Sequence, residues 1–463
     1  MMLSRRAFAL AGLASTAFAG CARLSAGPGV ADAYRSEVPG YGPLLPDPAG
    51  FFDLPKGFSY RVLSQVGEAM DDGLAVPDNF DGMGCLPLPG GRVALIRNHE
   101  LSLKSGKPGW TGGNAERAAL LDTLPIYGRD AAGAAMPGGT TTLVYDPERR
   151  KVERQFLSLA GTSTNCAGGV TPWGSWLSCE ETLVAEPDAR QSHGWVFEVP
   201  ARATGPVDPV PLRALGRFRH EAVAIDPVTG IAYLTEDRED GLFYRFVPAV
   251  PGKLAEGGRL QALVLADGPA SDHADTRNWL RPDIAAGRPL PLRWIDLSGT
   301  DSPADDLRQR GHAMGAALFA RGEGIHLGRD ARGGSVFYFT CTSGGARRMG
   351  QIFRHVPGAG DQAGTLELFV ESTDDALLDY ADNLTIAPNG HLIVCEDRTG
   401  HKVNHLRGVT PEGRLYTLAR LNADTELAGA CFSPGGRILF VNAYSPGRTL
   451  AVTGPWNRFA HKS

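Results

Sequence analysis

The sequence has no surplus of positive charge, no paired-cysteine motif and, past its leader, no long apolar run. Its 46 lysines and arginines face 51 acidic residues, for a formal net charge of −5. That balance gives no electrostatic basis for binding nucleic acid or an anionic membrane, so a small substrate is the expected partner. None of the 7 cysteines stands in C-x-x-C or zinc-finger spacing. Several, such as Cys395 in L-I-V-C-E-D, lie in apolar strand runs where a buried free thiol is the ordinary state. No disulfide framework is therefore expected, even in an oxidising compartment. The lack of any further apolar run of about 18 residues or more excludes a helical membrane span beyond the leader.

Glycine and proline, by contrast, are plentiful. The 59 glycines and 33 prolines are spread along the 463 residues, which reads as many turns between short strands and favours an all-β protein. The first residues, M-M-L-S-R-R-A-F-A-L-A-G-L-A-S-T-A-F-A-G-C, set Arg5-Arg6 before an apolar run of small residues. This is a twin-arginine export signal, expected to span residues 1–26 and to engage the Tat translocase. Tat substrates cross already folded, often with a cofactor in place, so the address itself hints at a metal. Cys21 follows Phe18-Ala19-Gly20, an imperfect lipoprotein box, which leaves open both a lipid anchor and simple cleavage near Ala19. A periplasmic or extracellular monomer is expected, with residues 27–463 as one domain.

One module recurs along that domain. An acid or thiol opens a small apolar strand, a glycine turn follows, and a second β-rich run ends in polar or acidic residues. Copies begin at Asn79 (N-F-D-G-M-G-C), around Cys166, at Arg219 (R-H-E-A-V-A-I-D), at Arg321 (R-G-E-G-I-H-L-G), at Ala381 (A-D-N-L-T-I-A-P-N-G) and at Glu426 (E-L-A-G-A-C-F-S-P-G-G). Six such hairpins predict a six-bladed β-propeller. The innermost strand of a blade lines the narrow axis, and its first residue faces the mouth. On this reading Asp81, Cys166, Glu221, Glu323, Asp382 and Glu426 hold equivalent positions and converge on one axial spot. Five carboxylates and a thiolate would push one another's pKa values up until most were protonated, so cations are required. The stretches 252–311 and around Trp110 to A-E-R-A-A-L-L are expected as excursions, the first lacking clear strands and containing a helix.

The segment G-T-S-T-N-C-A-G-G-V-T-P-W-G-S-W-L-S-C-E-E-T from Gly161 to Thr182 is the chemical centre of the pattern. Cys166 offers a soft ligand among small residues that permit close approach, and Glu180 and Glu181 offer hard oxygens. Trp173 and Trp176 read as packing residues on the strand between them. Carboxylates suit calcium, whereas a thiolate favours iron, zinc or copper, so a mixed cluster is expected. Glu180, Asp237, Glu396 and Asp397 end second strands and are available to an outer shell or to calcium. His99 and His220 are open as ligands. Arg321 lies two residues before Glu323, on the same side of a strand, where it can grip a phosphate or carboxylate oxygen or simply pair with its neighbour.

With T-N-C-A-G-G-V-T-P-W-G-S-W-L-S-C-E-E, R-H-E-A-V-A-I-D-P-V-T-G-I-A-Y-L-T-E-D-R, R-G-E-G, A-D-N-L-T-I-A-P-N-G and E-L-A-G-A-C-F-S-P-G-G in view, the chain resembles the PhoX-type alkaline phosphatases over most of its mature length. The resemblance implies a six-bladed propeller that hydrolyses phosphomonoesters at a cluster of ferric iron and calcium, with a metal-bound oxo or hydroxo nucleophile. It also implies that Cys166 is the iron-bound thiolate, Glu221 and Glu323 bridge metals, Arg321 clamps phosphate, and Asp382 and Glu426 are further ligands. Asp81 and Glu180 complete the expected metal set on the module reading. The alternatives are a calcium-dependent lactonase or phosphotriesterase of propeller type, which has little use for a thiolate, and a noncatalytic calcium-stabilised binding propeller.

Overall fold

Short apolar runs separated by glycine turns pair with their neighbours as antiparallel hairpins, and here the hairpins close into a ring. A computed structural model describes residues 34–266, 274–359, 363–398, 403–457 and 459. The twin-arginine segment and Cys21 lie outside the described residues. Six inner strands, Phe80–Pro87, Asn165–Val170, His220–Ile225, Gly322–Arg329, Ala381–Ile386 and Leu427–Phe432, each pack against the next, and the last packs against the first. We number their blades I to VI. Each inner strand pairs outward with a second strand: Val93–His99, Ser175–Glu180, Ala232–Glu236, Ser335–Cys341, Leu392–Glu396 and Ile438–Ala443. The expected six-bladed all-β propeller is therefore the observed architecture.

The ring is closed by hydrogen bonds between distant parts of the chain. Ser59–Gln65, from the proline-rich lead-in, pairs with Arg448–Thr453 and completes blade VI. Phe52–Pro55 adds to the outer edge of blade V. The stretch 252–311 departs from expectation. It contributes Gly258–Leu265 to blade III and then Leu290–Asp296, which pairs along that strand and touches the edge of blade IV at Leu290 and Pro291. Blades III and IV thus form one nine-stranded sheet. The apolar runs L-Q-A-L-V-L and L-R-W-I-D carry this pairing; the acid-rich loop between them hid it. The short helices Leu307–Ala313 and Ala115–Leu121 follow the reading of both excursions, and Asn114 caps the latter by accepting from Arg117 N at 3.0 Å.

Blades bury flat aromatic contacts between one another, as where Phe243 of blade III stacks on Phe339 of blade IV with centroids 4.2 Å apart. Near the axis the backbones come too close for side chains. A Cβ on Gly82 would fall 2.5 Å from Ala167 Cα, and one on Gly324 would fall 2.8 Å from Asn383 Cα. A Cβ on Gly169 would overlap the carbonyl oxygen of Val223 on the neighbouring blade. The small residues of the inner strands are thus a condition of ring closure. Gly169→Ala is expected to cost about 1–3 kcal/mol, the usual range for overpacking. Urea unfolding measures it, and an unchanged midpoint would show that blades II and III can separate without penalty.

Candidate metal centre

A bulge inside each inner strand builds the site. In blades I to V two residues oppose one on the second strand: Asp81-Gly82, Cys166-Ala167, Glu221-Ala222, Glu323-Gly324 and Asp382-Asn383. A bulge bends the strand and re-aims a side chain, and in every case the first bulged residue is the predicted acid or thiol. The turns leading in repeat as well. Asn79, Thr164, Arg321 and Tyr380, each two residues before a bulged ligand, all have left-handed backbones with φ of 52, 52, 55 and 54°. Such conformations are costly for residues with a Cβ and persist only where the surroundings enforce them.

Blade VI differs, and this corrects the equivalence drawn for Glu426. Its bulge falls at Gly429-Ala430, so a glycine packed against Asp81 and Asn442 stands where the other blades place an acid or thiol. Glu426 precedes the strand by one residue and enters the cluster from the turn, hydrogen-bonded to Asp397 and near Asp81 and Asp382.

The predicted residues do meet. Cys166 Sγ, a Glu181 oxygen and a Glu221 oxygen all lie within 4.8 Å of one another, as do oxygens of Glu221, Glu323 and Asp382. Cys166 Sγ is 3.5 Å from Asp81 Oδ2. Glu221 is wholly buried, yet neither of its carboxylate oxygens has a hydrogen-bond partner among the described residues. Arg321 holds Asp237 through Nε at 2.8 Å and Nη2 at 3.2 Å, and the same Nη2 lies 2.9 Å from Glu323 Oε1. The inner strands also enclose a cavity of about 370 Å³, lined largely by apolar residues such as Val170, Ala224, Ile325, Ile386 and Phe432, with Asn383, which donates to Asp382 Oδ1 at 3.1 Å, on its wall.

Strand alternation sorts the acids at the ends of the second strands. Glu180, expected as a ligand, instead points into its own blade. It accepts from Ser163 N at 2.9 Å, Gly194 N at 2.8 Å and Trp195 N at 3.2 Å, and bonds His193 Nδ1 at 2.6 Å. Its oxygens are consumed by that packing. Glu396 is consumed likewise by Asp379 N, His405 and Arg407. The next residue along the chain faces the other way, so Glu181, Asp237, Asp397 and, in blade I, Glu100 are the ones whose charges act on the cluster. The E-E, E-D and H-E doublets were visible in the sequence; which member faces the axis depends on the parity of the strand. His99 is not a ligand in this arrangement, since it bonds Asp78 O at 2.9 Å and Thr141 Oγ1 at 3.0 Å. His220 bonds Gly216 O at 2.8 Å and stacks on Phe218. Trp176 is buried with Nε1 2.9 Å from Asn98 Oδ1, whereas Trp173 belongs to the preceding turn and is 37% exposed.

Burial, reinforced by neighbouring carboxylates, holds the Asp81, Glu181, Glu221, Glu323 and Glu426 carboxyls and the Cys166 thiol well above their ordinary pKa values. Asp382 is pushed up to about 8 by burial and then by the charge of Asp397. Glu100 is pushed up to about 7, mainly by burial. Arg321 is raised by the charges of Glu323 and Asp237, which outweigh its own burial. An orphaned buried carboxylate ringed by other acids and a thiol is the donor set of a cation cluster: hard oxygens for a hard ion, one sulfur for a softer one.

Three outcomes are expected from these positions. Acids with raised pKa values bind more protons folded than unfolded, so metal-free protein loses stability as pH rises from about 4, the unfolded value, through about 8. Its Tm after chelation should fall on the order of 5 °C across that window and flatten when metal is restored; a flat profile without metal would mean the acids are not mutually strained. Glu180→Gln should cost about 2–3 kcal/mol of stability with metal content retained. Glu181→Gln should do the reverse, losing metal while leaving the metal-free protein no less stable, as elemental analysis and urea melts will show.

The fold resembles that of Pseudomonas fluorescens PhoX, solved in complex with vanadate, at a TM-score of 0.63 and 19% identity, covering 91% of this chain and 98% of that one. A gluconolactonase from Xanthomonas campestris aligns over 91% of this chain and 100% of its own, at 12% identity and a TM-score of 0.41. No curated protein matches the sequence. The family model for alkaline phosphatase PhoX matches residues 39–447, nearly the whole propeller. By that match the chain belongs to the PhoX alkaline phosphatase family, metal-dependent enzymes that hydrolyse phosphomonoesters.

Proposed function

We propose that the axial cluster is where this phosphatase works, with iron held at Cys166, Glu181 and Glu221 and calcium among Asp81, Glu323, Asp382 and Glu426. The division follows ligand softness: the thiolate and the carboxylates within 4.8 Å of it suit iron, and the all-oxygen remainder suits calcium. The observation that carries the reading is Glu221, fully buried with both oxygens unpartnered among the described residues, shared between the Cys166 and Glu181 group and the Glu323 and Asp382 group. Bound cations supply Lewis acidity at the phosphoryl oxygens and acidify water, so no side-chain nucleophile is required.

The chain's own residues have separate tasks. The carboxylates and Cys166 bind and space the ions. Arg321 is oriented by Asp237, and its Nη1, which donates to no described residue, is free to reach a phosphoryl oxygen and stabilise charge as the ester bond breaks. Vanadate binds the Pseudomonas fluorescens protein as a transition state analogue, which supports an anion at the corresponding place here. The reading includes passage through the Tat translocase into the periplasm or beyond, Cys21 as the residue available for a lipid anchor, and a monomer acting on small phosphomonoesters. Export in the folded state suits a cluster assembled beforehand.

The test is iron and calcium content of protein isolated from its own periplasm, with p-nitrophenyl phosphate turnover before and after chelation. Iron and calcium are expected together, and chelation should abolish turnover. Cys166→Ala should lose iron and more than about 100-fold in turnover. Calcium without iron, or full turnover in C166A, would sink the assignment.

A further inference from the structure

Arg219 and Arg321 hold the same place in adjacent blades. Each stands two residues before a bulged acid, in R-H-E and R-G-E, and each main-chain carbonyl accepts from the residue that follows its blade's second strand: Asp237 N at 3.3 Å and Thr342 N at 3.0 Å. Their side chains flank the cluster differently. Arg321 is tied by Nε and Nη2 to Asp237 and Glu323. Arg219 makes a single ion pair, Nη1 to Glu181 Oε1 at 3.2 Å, and its side chain remains 37% exposed. Its Nε and Nη2 reach no acceptor among the described residues. Glu181 in turn lies within 4.8 Å of Cys166 Sγ and of Glu221. One guanidinium therefore stands at the thiol end of the cluster and the other at the Glu323 end, each with donors to spare.

We propose that Arg219 is a second anion-binding residue of this site, gripping a phosphoryl group from the flank opposite Arg321 and selecting dianionic phosphomonoesters over monoanionic phosphodiesters. The proposal rests on the phosphatase reading above and adds to it a residue and a basis for selectivity. A monoester has three terminal oxygens and two charges to share between two guanidinium groups; a diester has two such oxygens and one charge. Charge-assisted hydrogen bonds from planar donors reward the first far more. The bland role for Arg219 is to neutralise Glu181 alone, in which case its free donors meet only water.

The test uses metal-loaded full-length protein with Arg219→Gln and Arg219→Lys. Four quantities are measured: iron and calcium content, inorganic phosphate affinity by calorimetry, KM and kcat for p-nitrophenyl phosphate, and the preference for that ester over bis(p-nitrophenyl) phosphate. Expected for R219Q is retained metal, phosphate affinity and KM weakened about 10- to 100-fold, and monoester preference reduced at least about tenfold. R219K should restore part of the affinity, because the charge returns without the planar fork. Unchanged phosphate affinity in a metal-loaded variant overturns the proposal. So does metal loss in both variants, which would assign Arg219 to supporting Glu181. If R219Q alone loses metal, the phosphate affinity of R219K decides. Wild-type protein that is metal-loaded yet inactive on every phosphomonoester would instead count against the phosphatase site itself.

Discussion

Repulsion between carboxylates gathered on one axis is the constraint to which the rest of this structure answers. At 4.8 Å separation and an effective dielectric of about 20, two ionised groups repel by roughly 3 kcal/mol. The Glu221, Glu323 and Asp382 group alone contains three such pairs, a sum comparable to the whole stability of an ordinary domain, about 5–15 kcal/mol. Only protonation or bound cations make the arrangement tolerable. At neutral pH and above, where an alkaline phosphatase works, cations are the remaining solution. On the proposed reading, structure and activity share one cause: the positive charge that lets the propeller hold its acids is the charge that a phosphoryl group meets.

The scaffold repeats one set of irregularities around that point. Bulges, left-handed turns and side-chain-free contacts are scattered features in most β proteins; here they recur at matching places in successive blades, around the mouth of the axis. Blade VI breaks the pattern with Gly429, and its carboxylate reaches the cluster from outside the strand, at Glu426. Register shifts also occur between outer strands, as between Gly138–Asp146 and Lys151–Thr162, but there buried polar groups such as Glu180 with His193 and Glu396 with Arg407 find partners within their own blades. An acid whose oxygens are used up by packing and an acid whose oxygens are left open stand next to each other in the chain at Glu180-Glu181 and Glu396-Asp397. That contrast, more than burial as such, separates structural carboxylates from those available to metal.

Much of this was legible from residue order. The repeated hairpin module identifies the propeller, and Asp81, Cys166, Glu221, Glu323 and Asp382 stand out because each opens a small apolar strand. Those five do fall on the bulges. The strands within 252–311 were hidden by acidic loop residues between two apolar runs. Glu180 and Glu181, being adjacent acids, look alike until the strand's parity about the axis is known. Glu426 looked equivalent to the others because its acid and glycine turn have similar spacing, while the position of the bulge leaves no mark in composition.

The sequence by itself determined that hairpins would repeat, that acids and one thiol would recur at their starts, and that cations would be needed to reconcile them, since these depend on residue type and period. Only the tertiary structure decided which oxygens stay open. Which way each side chain faces depends on where a bulge shifts the inner strand's register and on the parity of the second strand about the axis, and both are defined only once residues far apart in the chain pair and pack as blades.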